Sequence, residues 1–101
     1  MTAETGLDQG RGAFREHRWT EAFESFREAD RQGGLPAADL ERLATAEILT
    51  GNAATGLESL TRAHEEYLVV GDIVGAARCA AWLALHLMNT GEGARAGGWL
   101  A

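Results

Sequence analysis

Residues 20–34 read TEAFESFREADRQGG and residues 54–68 read ATGLESLTRAHEEYL, and a fixed offset relates them. Ala22, Phe26 and Ala29 of the first stretch return as Gly56, Leu60 and Ala63 of the second, each 34 residues later. In both, a small residue is followed by a bulky one at +4 and a small one at +7, which is one stripe of a helix. Self-similarity at this period signals a repeat architecture. The reason is steric. Two helices approach closely only where side chains are small, and a bulky residue one turn away fills the groove beside them. A helix pair built this way still exposes an apolar face, which the next pair covers. Ala96 and Leu100 continue the pattern, 40 residues beyond Gly56 and Leu60, with the extra six residues falling in HEEYLVVGDIVGAA.

Working outward, the breakers are regularly spaced: Gly33-Gly34 with Pro36, Gly51-Asn52, Gly71-Asp72 and Asn89-Thr90-Gly91. Each joins a helix stop to a helix start. Asn52 and Asp72 are expected to cap the helices that follow, and Thr20 to cap one after Arg18-Trp19. The punctuation predicts six helices, at roughly 5–17, 20–32, 36–50, 53–70, 73–89 and 92–101. Apolar spacing agrees. Leu40, Leu43, Ala44 and Ile48 share a face of the third. Leu57, Leu60, His64, Tyr67 and Leu68 share a face of the fourth, and Ile73, Ala77, Ala80, Ala81, Ala84 and Leu87 a face of the fifth. No stretch alternates as a strand does. Links of two to four residues imply antiparallel neighbours. The 101-residue chain is thus expected to be one all-α domain, with repeats near 5–34, 36–70 and 72–101.

Composition narrows the function. Apolar residues make up 46% of the chain, with Ala and Leu prominent, which favours helix. The net charge of −6 repels phosphate and argues against direct nucleic-acid binding. The amino-terminal MTAETGLDQG has neither the basic nor the apolar region of a signal peptide. No apolar run approaches the ~20 residues that span a bilayer, so a cytoplasmic protein is expected. Cys79 stands alone in an Ala-rich run and reads as a buried small hydrophobe. His17, His64 and His86 lack zinc-ligand spacing with it. Glu65-Glu66 point about 100° apart on a helix and cannot act as a local acid/base pair. The glycines of GEGARAGG follow no strand and precede no Gly-Lys-Ser/Thr, so they are not a phosphate loop. Trp19, Trp82 and Trp99 read as wedges between helices. No cofactor, metal or catalytic constellation is expected.

With these residues in view, the chain resembles the tetratricopeptide (TPR) repeat family. The matching positions are Gly10, Trp19, Ala22, Phe26 and Ala29 in the first repeat. Leu40, Leu43, Ala44, Gly51, Gly56, Leu60 and Ala63 match in the second, and Leu83, Ala84, Leu87, Gly91, Ala96 and Leu100 in the third. Gly6, Gln9 and Gly34 depart from the family's usual Trp, Leu and Pro. GDIVGAARCAAWLAL and GEGARAGGWLA are also similar to the TPR-like segment of bacterial LuxR-type helix-turn-helix regulators, although no helix-turn-helix or basic recognition helix occurs within these 101 residues.

The resemblance implies a solenoid of about three antiparallel hairpins, the last truncated, whose first helices line a concave groove. Carried over by position, that groove takes Leu7, Arg11, Phe14 and Arg15 from the first repeat. Ala38, Glu41, Thr45, Ile48 and Leu49 come from the second, and Arg78, Ala81, Leu85, Met88 and Asn89 from the third. Arg11, Arg15 and Arg78 would hold a peptide's carboxylates and Asn89 its backbone, while Phe14, Leu49, Leu85 and Met88 supply apolar contact. The implied function is binding of a protein segment or subunit. The alternative is a small-molecule sensor whose ligand shifts repeat packing. Self-association is expected through Trp99, Leu100 and the fifth helix, since GWLA stops in mid-helix without a polar cap.

Overall fold

A computed structural model describes residues 3–89 as five α-helices: α1 (Ala3–Arg15), α2 (Trp19–Gly33), α3 (Ala37–Leu49), α4 (Ala53–Val69) and α5 (Ile73–Asn89). The described residues contain no strand. None of their helices is long and apolar enough to cross a membrane. The sixth expected helix, with Ala96, Trp99 and Leu100, lies outside the described residues.

Each helix packs chiefly on its neighbours in the chain, and α1 also touches α3. Both complete copies of the small–bulky–small stripe are buried. Ala22, Phe26 and Ala29 lie in the core from α2, and Gly56, Leu60 and Ala63 from α4. The close approach is tight enough to exclude a methyl group. A Cβ on Gly56 would sit 2.6 Å from Ile48 Cγ1, and one on Gly75 would sit 2.5 Å from the Tyr67 ring. Phe26 fills the matching place over Gly10, where a Cβ would lie 2.9 Å from its ring.

Buried polar groups are matched rather than avoided. Asp39 accepts two hydrogen bonds from Arg11 on α1 and one from Arg42 one turn along α3. The equally buried Glu47 accepts from Ser59 Oγ on α4 at 2.6 Å. Among the described residues, no buried side-chain polar atom lacks a partner. This matters because an orphaned buried carboxylate costs several kcal/mol, on the order of 3–5.

Several local expectations are corrected. α1 ends at Arg15, and His17 turns the chain at φ 60°. α2 begins at Trp19, so Thr20 lies inside the first turn and Arg18 occupies the cap position without a side-chain bond. Asn52 sits at the cap of α4, but its amide donates to Thr50 Oγ1 instead of capping. Asp72 does cap α5: its Oδ1 accepts from the Gly75 N–H at 2.9 Å. On α4, Leu68 turns out to be half exposed.

The largest correction concerns α5. Its buried face is Gly75, Ala76, Cys79, Ala80, Leu83, Ala84 and Leu87. Ile73, Ala77 and Ala81, expected inside, are exposed. A helix apolar on every side gives periodicity no contrast to work with, so the pattern could not choose the face. The choice falls to fit, because only Gly75 admits the Tyr67 ring.

Candidate binding groove

α3 carries the centre of the site. Glu41 and Thr45 are one turn apart on the same face, and that face borders two adjoining hollows. The first, about 270 Å³, is lined by Phe14, Ala38, Glu41, Arg42, Thr45, Tyr67 and Arg78. The second, about 300 Å³, is lined by Glu41, Ala44, Thr45, Ile48, Leu49, Leu60, Trp82 and His86. One is rich in charge, the other almost wholly apolar.

The charged hollow is built around a clamp joining three helices. The Arg78 guanidinium, from α5, donates through Nε and Nη2 to the two oxygens of Glu41 at 2.7 and 2.8 Å. Tyr67, from α4, donates its hydroxyl to Glu41 Oε1 at 2.7 Å and accepts from Arg78 Nη2 at 3.2 Å. Arg78 also lies 5.6 Å from the centre of the Tyr67 ring, a cation–π distance. Burial pushes the Glu41 carboxyl up, but the hydrogen bonds from Arg78 and Tyr67 more than offset it and hold the group below its ordinary range. Burial, with the neighbouring Glu41 charge, pushes the Tyr67 phenol up to about 12. The bond to Glu41 raises Arg78. Cys79, beside the clamp, is fully buried, and burial pushes its thiol up to about 11, so it stays protonated at neutral pH.

The expected groove residues divide into three groups. Phe14, Ala38, Glu41, Thr45 and Arg78 line the first hollow, and Glu41, Thr45, Ile48 and Leu49 the second. Phe14 is half buried, its ring meeting Trp19 edge-on at 5.2 Å. Thr45 spends its hydroxyl proton on the Glu41 carbonyl at 3.0 Å. Leu7 packs against the core instead. Ala81, Leu85, Met88 and Asn89 are exposed and line neither hollow.

Two of the three expected arginines have partners within the chain. Arg11 is held by Asp39 at 2.7–3.1 Å, and that hydrogen bonding raises its pKa. Arg78 is held by Glu41. Both guanidinium forks are therefore occupied by the chain's own carboxylates and act as struts between helices. Arg15 is exposed and forms no ion pair among the described residues.

Trp82 and His86 were not foreseen as groove residues. Arg78, Trp82 and His86 follow at i, i+4 and i+8, so one column of α5 faces α3. The family positions carried over to α5 gave Arg78 of this column together with Ala81, Leu85, Met88 and Asn89, which lie beside it. The available signal was the i+4 series through Trp82, read above as a wedge. Among the described residues, no group of three or more His, Cys, Asp or Glu is placed to hold a metal ion. Compared with protein-family models, curated proteins and solved structures, the chain matches none.

Proposed function

We propose that the chain is a protein-interaction module of TPR type, its helices stacked as antiparallel hairpins, and that it binds a segment of another protein across the two hollows. The observation that carries this is the apolar hollow roofed by Trp82 and Leu49, both about half exposed. A volume of about 300 Å³ is at the lower end for small-molecule pockets, which run to roughly 1,000 Å³. The hollow suits one large apolar side chain of an incoming segment, with the rest of that segment running along α3. Two buried stripes at a 34-residue offset support the repeat architecture.

The sensor reading has the same hollow in its favour. It is weaker because the hollow opens to solvent beside two exposed side chains, whereas a small ligand is usually enclosed. The stretch from Gly71 to Leu85, similar to LuxR-type regulators, supports a role as part of, or companion to, a transcriptional regulator. In that role the module receives a protein signal and leaves DNA contact to another region.

The test is selection of displayed peptides against the full chain. Selected peptides should carry a large apolar residue and perturb the NMR signals of the Trp82 indole and the His86 ring. Trp82→Ala, at an exposed position, should weaken binding at least about tenfold while leaving helicity intact. Peptides that bind equally well without the indole would overturn the assignment. A small apolar probe that occupies the hollow and excludes them would favour the sensor.

A further inference from the structure

The guanidinium groups at the charged hollow outnumber the carboxylates that hold them. Glu41 binds Arg78 through both of its oxygens. Asp39, only 1% exposed, holds two guanidiniums at once. Arg11 occupies both Asp39 oxygens through Nε and Nη2, and Arg42 adds one bond from Nη1 to Oδ1 at 2.8 Å. A carboxylate balances one cation, so Arg11, Arg42 and Arg78 on Asp39 and Glu41 leave one positive charge over. The exposed Asp8 is the weakest influence on Arg11 and does not line the hollow.

That surplus falls on Arg42. Arg11 already has two bonds to Asp39, whereas Arg42 has one, and its Nε and Nη2 remain for another acceptor. Its side chain is 40% exposed and lines the charged hollow beside Phe14 and Thr45. Glu41 attracts it only across space, because the Glu41 oxygens are bonded to Arg78 and Tyr67. The unpaired Arg15 lines neither hollow.

We infer that Arg42 selects an acidic residue in the segment that the groove binds, placed close to the large apolar residue that enters the second hollow. The inference rests on the groove reading and adds the chemistry of its partner. Charge complementarity carries it. The chain's acid is concentrated elsewhere: α2 and α4 each carry a net charge of −2, yet only Leu60 and Tyr67 of these helices line the hollows. Charges more than about 8 Å away are largely screened at physiological salt, so the local surplus governs a contact made here. A carboxylate matches the planar fork of a guanidinium, and a basic residue at this point is repelled. The spacing follows from α3. Arg42, Thr45 and Leu49 share a face, and the apolar hollow is centred roughly 7 Å along the helix from Arg42, at about 1.5 Å per residue. An extended segment advances about 3.3 Å per residue, so its acid stands two residues from its apolar anchor, on the same side of the chain.

The probes are peptides from the display selection, synthesised with acetylated and amidated ends so that only side chains carry charge. A single Asp or Asn is placed in turn at each position around the apolar anchor, and binding to the full chain is measured by calorimetry. Two residues from the anchor, Asp should bind about fivefold more tightly than Asn, a difference that shrinks between about 50 and about 500 mM salt. Arg42→Gln should bring the ratio to about one, and Arg42→Lys should restore part of it. Asp39 keeps both bonds from Arg11 in these variants, so helicity should be unchanged. Arg31→Gln removes the same charge from α2, where Arg31 pairs with Glu28, and should leave the ratio as it was. A ratio that survives Arg42→Gln, or an Asp effect of equal size at every position, overturns the inference while the groove reading stands on its Trp82 dependence. Peptides whose binding ignores Trp82 overturn both.

Discussion

The turn between α3 and α4 and the turn between α4 and α5 are the same object in backbone terms. In Thr50-Gly51-Asn52 the glycine has φ 88°, and in Val70-Gly71-Asp72 it has φ 79°. Gly51 N–H donates to the Ile48 carbonyl and Gly71 N–H to the Leu68 carbonyl, both at 3.2 Å. Asn52 N–H reaches back to Glu47 and Asp72 N–H to Tyr67, both at 2.8 Å. These are the paired bonds of a Schellman stop, and the last residue of each turn also occupies the N-cap position of the next helix, where Asp72 caps with its side chain and Asn52 does not. The side chains differ. The first turn has a hydrogen-bonded threonine and is followed by Ala53 and Ala54, whereas the second exposes Val70, Ile73 and Val74. A left-handed glycine and peptide hydrogen bonds build either turn, so the fold does not require the apolar surface of the second. That apolar surface is a surplus over what the turn itself needs.

The sharpest way to break the likeness lies one turn beyond, where each new helix presses a glycine against the one before. Gly75→Ala drives a Cβ into the Tyr67 ring at 2.5 Å, and that ring is tethered through its hydroxyl to Glu41 and Arg78. Gly56→Ala meets Ile48 Cγ1 at 2.6 Å, the Ala44 carbonyl at 3.1 Å and the Ile48 backbone nitrogen at 3.3 Å, but the isoleucine side chain is only partly buried and no hydrogen bond tethers it. Overpacking costs about 1–3 kcal/mol, partly offset by the higher helix propensity of alanine. Urea unfolding should show Gly75→Ala losing about 2–3 kcal/mol and Gly56→Ala about 1–2. The reverse order would mean that the clamp does not hold the ring.

Next in size are the turn glycines. A Cβ on either Gly51 or Gly71 meets nothing within 4 Å, so the cost comes from backbone conformation alone. Replacement by alanine should cost about 1–2 kcal/mol at each. Equal losses sharpen the comparison, and a gap above about 1 kcal/mol would show that the turns are not energetically equivalent.

How much of this was legible from residues alone depends on how many answers each local pattern allowed. Gly51 and Gly71 announce turns because few other residues adopt their φ cheaply, and both turns stand where the punctuation put them. The stripes around Phe26 and Leu60 were legible because polar residues such as Glu24 and Glu58 flank them and give the helix a contrasting face. α5 has little such contrast, and only Ala80, Ala84 and Leu87 of its expected face are buried, while Ile73, Ala77 and Ala81 are exposed. The struts were invisible for another reason. Arg11 and Asp39 are 28 residues apart, and Arg78 and Glu41 are 37 apart. No local pattern announces a pairing at that distance, so arginines reserved for internal carboxylates looked free for a ligand.

The clamp also makes the packing of α5 on α3 and α4 pH-sensitive. Glu41 lies below its ordinary 4.5 in the folded chain. Its contribution is therefore fully present above about pH 4.5 and is lost as pH falls through the lowered value. Because Arg78 is half exposed, solvent screening limits the clamp to about 1 kcal/mol. Glu41→Gln should cost that much near neutrality and nothing once the wild-type carboxyl is protonated. Amide exchange should show α5 losing protection before α3 as the pH is lowered. Equal pH dependence in wild type and Glu41→Gln would remove the clamp from the account.

The smallest expected effect probes the surplus itself. Val70→Thr, Ile73→Ala and Val74→Ala together give the α4–α5 turn the surface of its α3–α4 counterpart without touching Gly71 or the Asp72 cap. All three side chains are two-thirds or more exposed, so little transfer energy is at stake in the monomer, and alanine is the better helix former at positions 73 and 74. Unfolding of the dilute chain should move by no more than about 0.5 kcal/mol in either direction. A loss of several times that would mean that these residues support the fold, and the two turns would then differ in structural role as well as in surface. A neutral result leaves the exposed valines and isoleucine without a folding purpose.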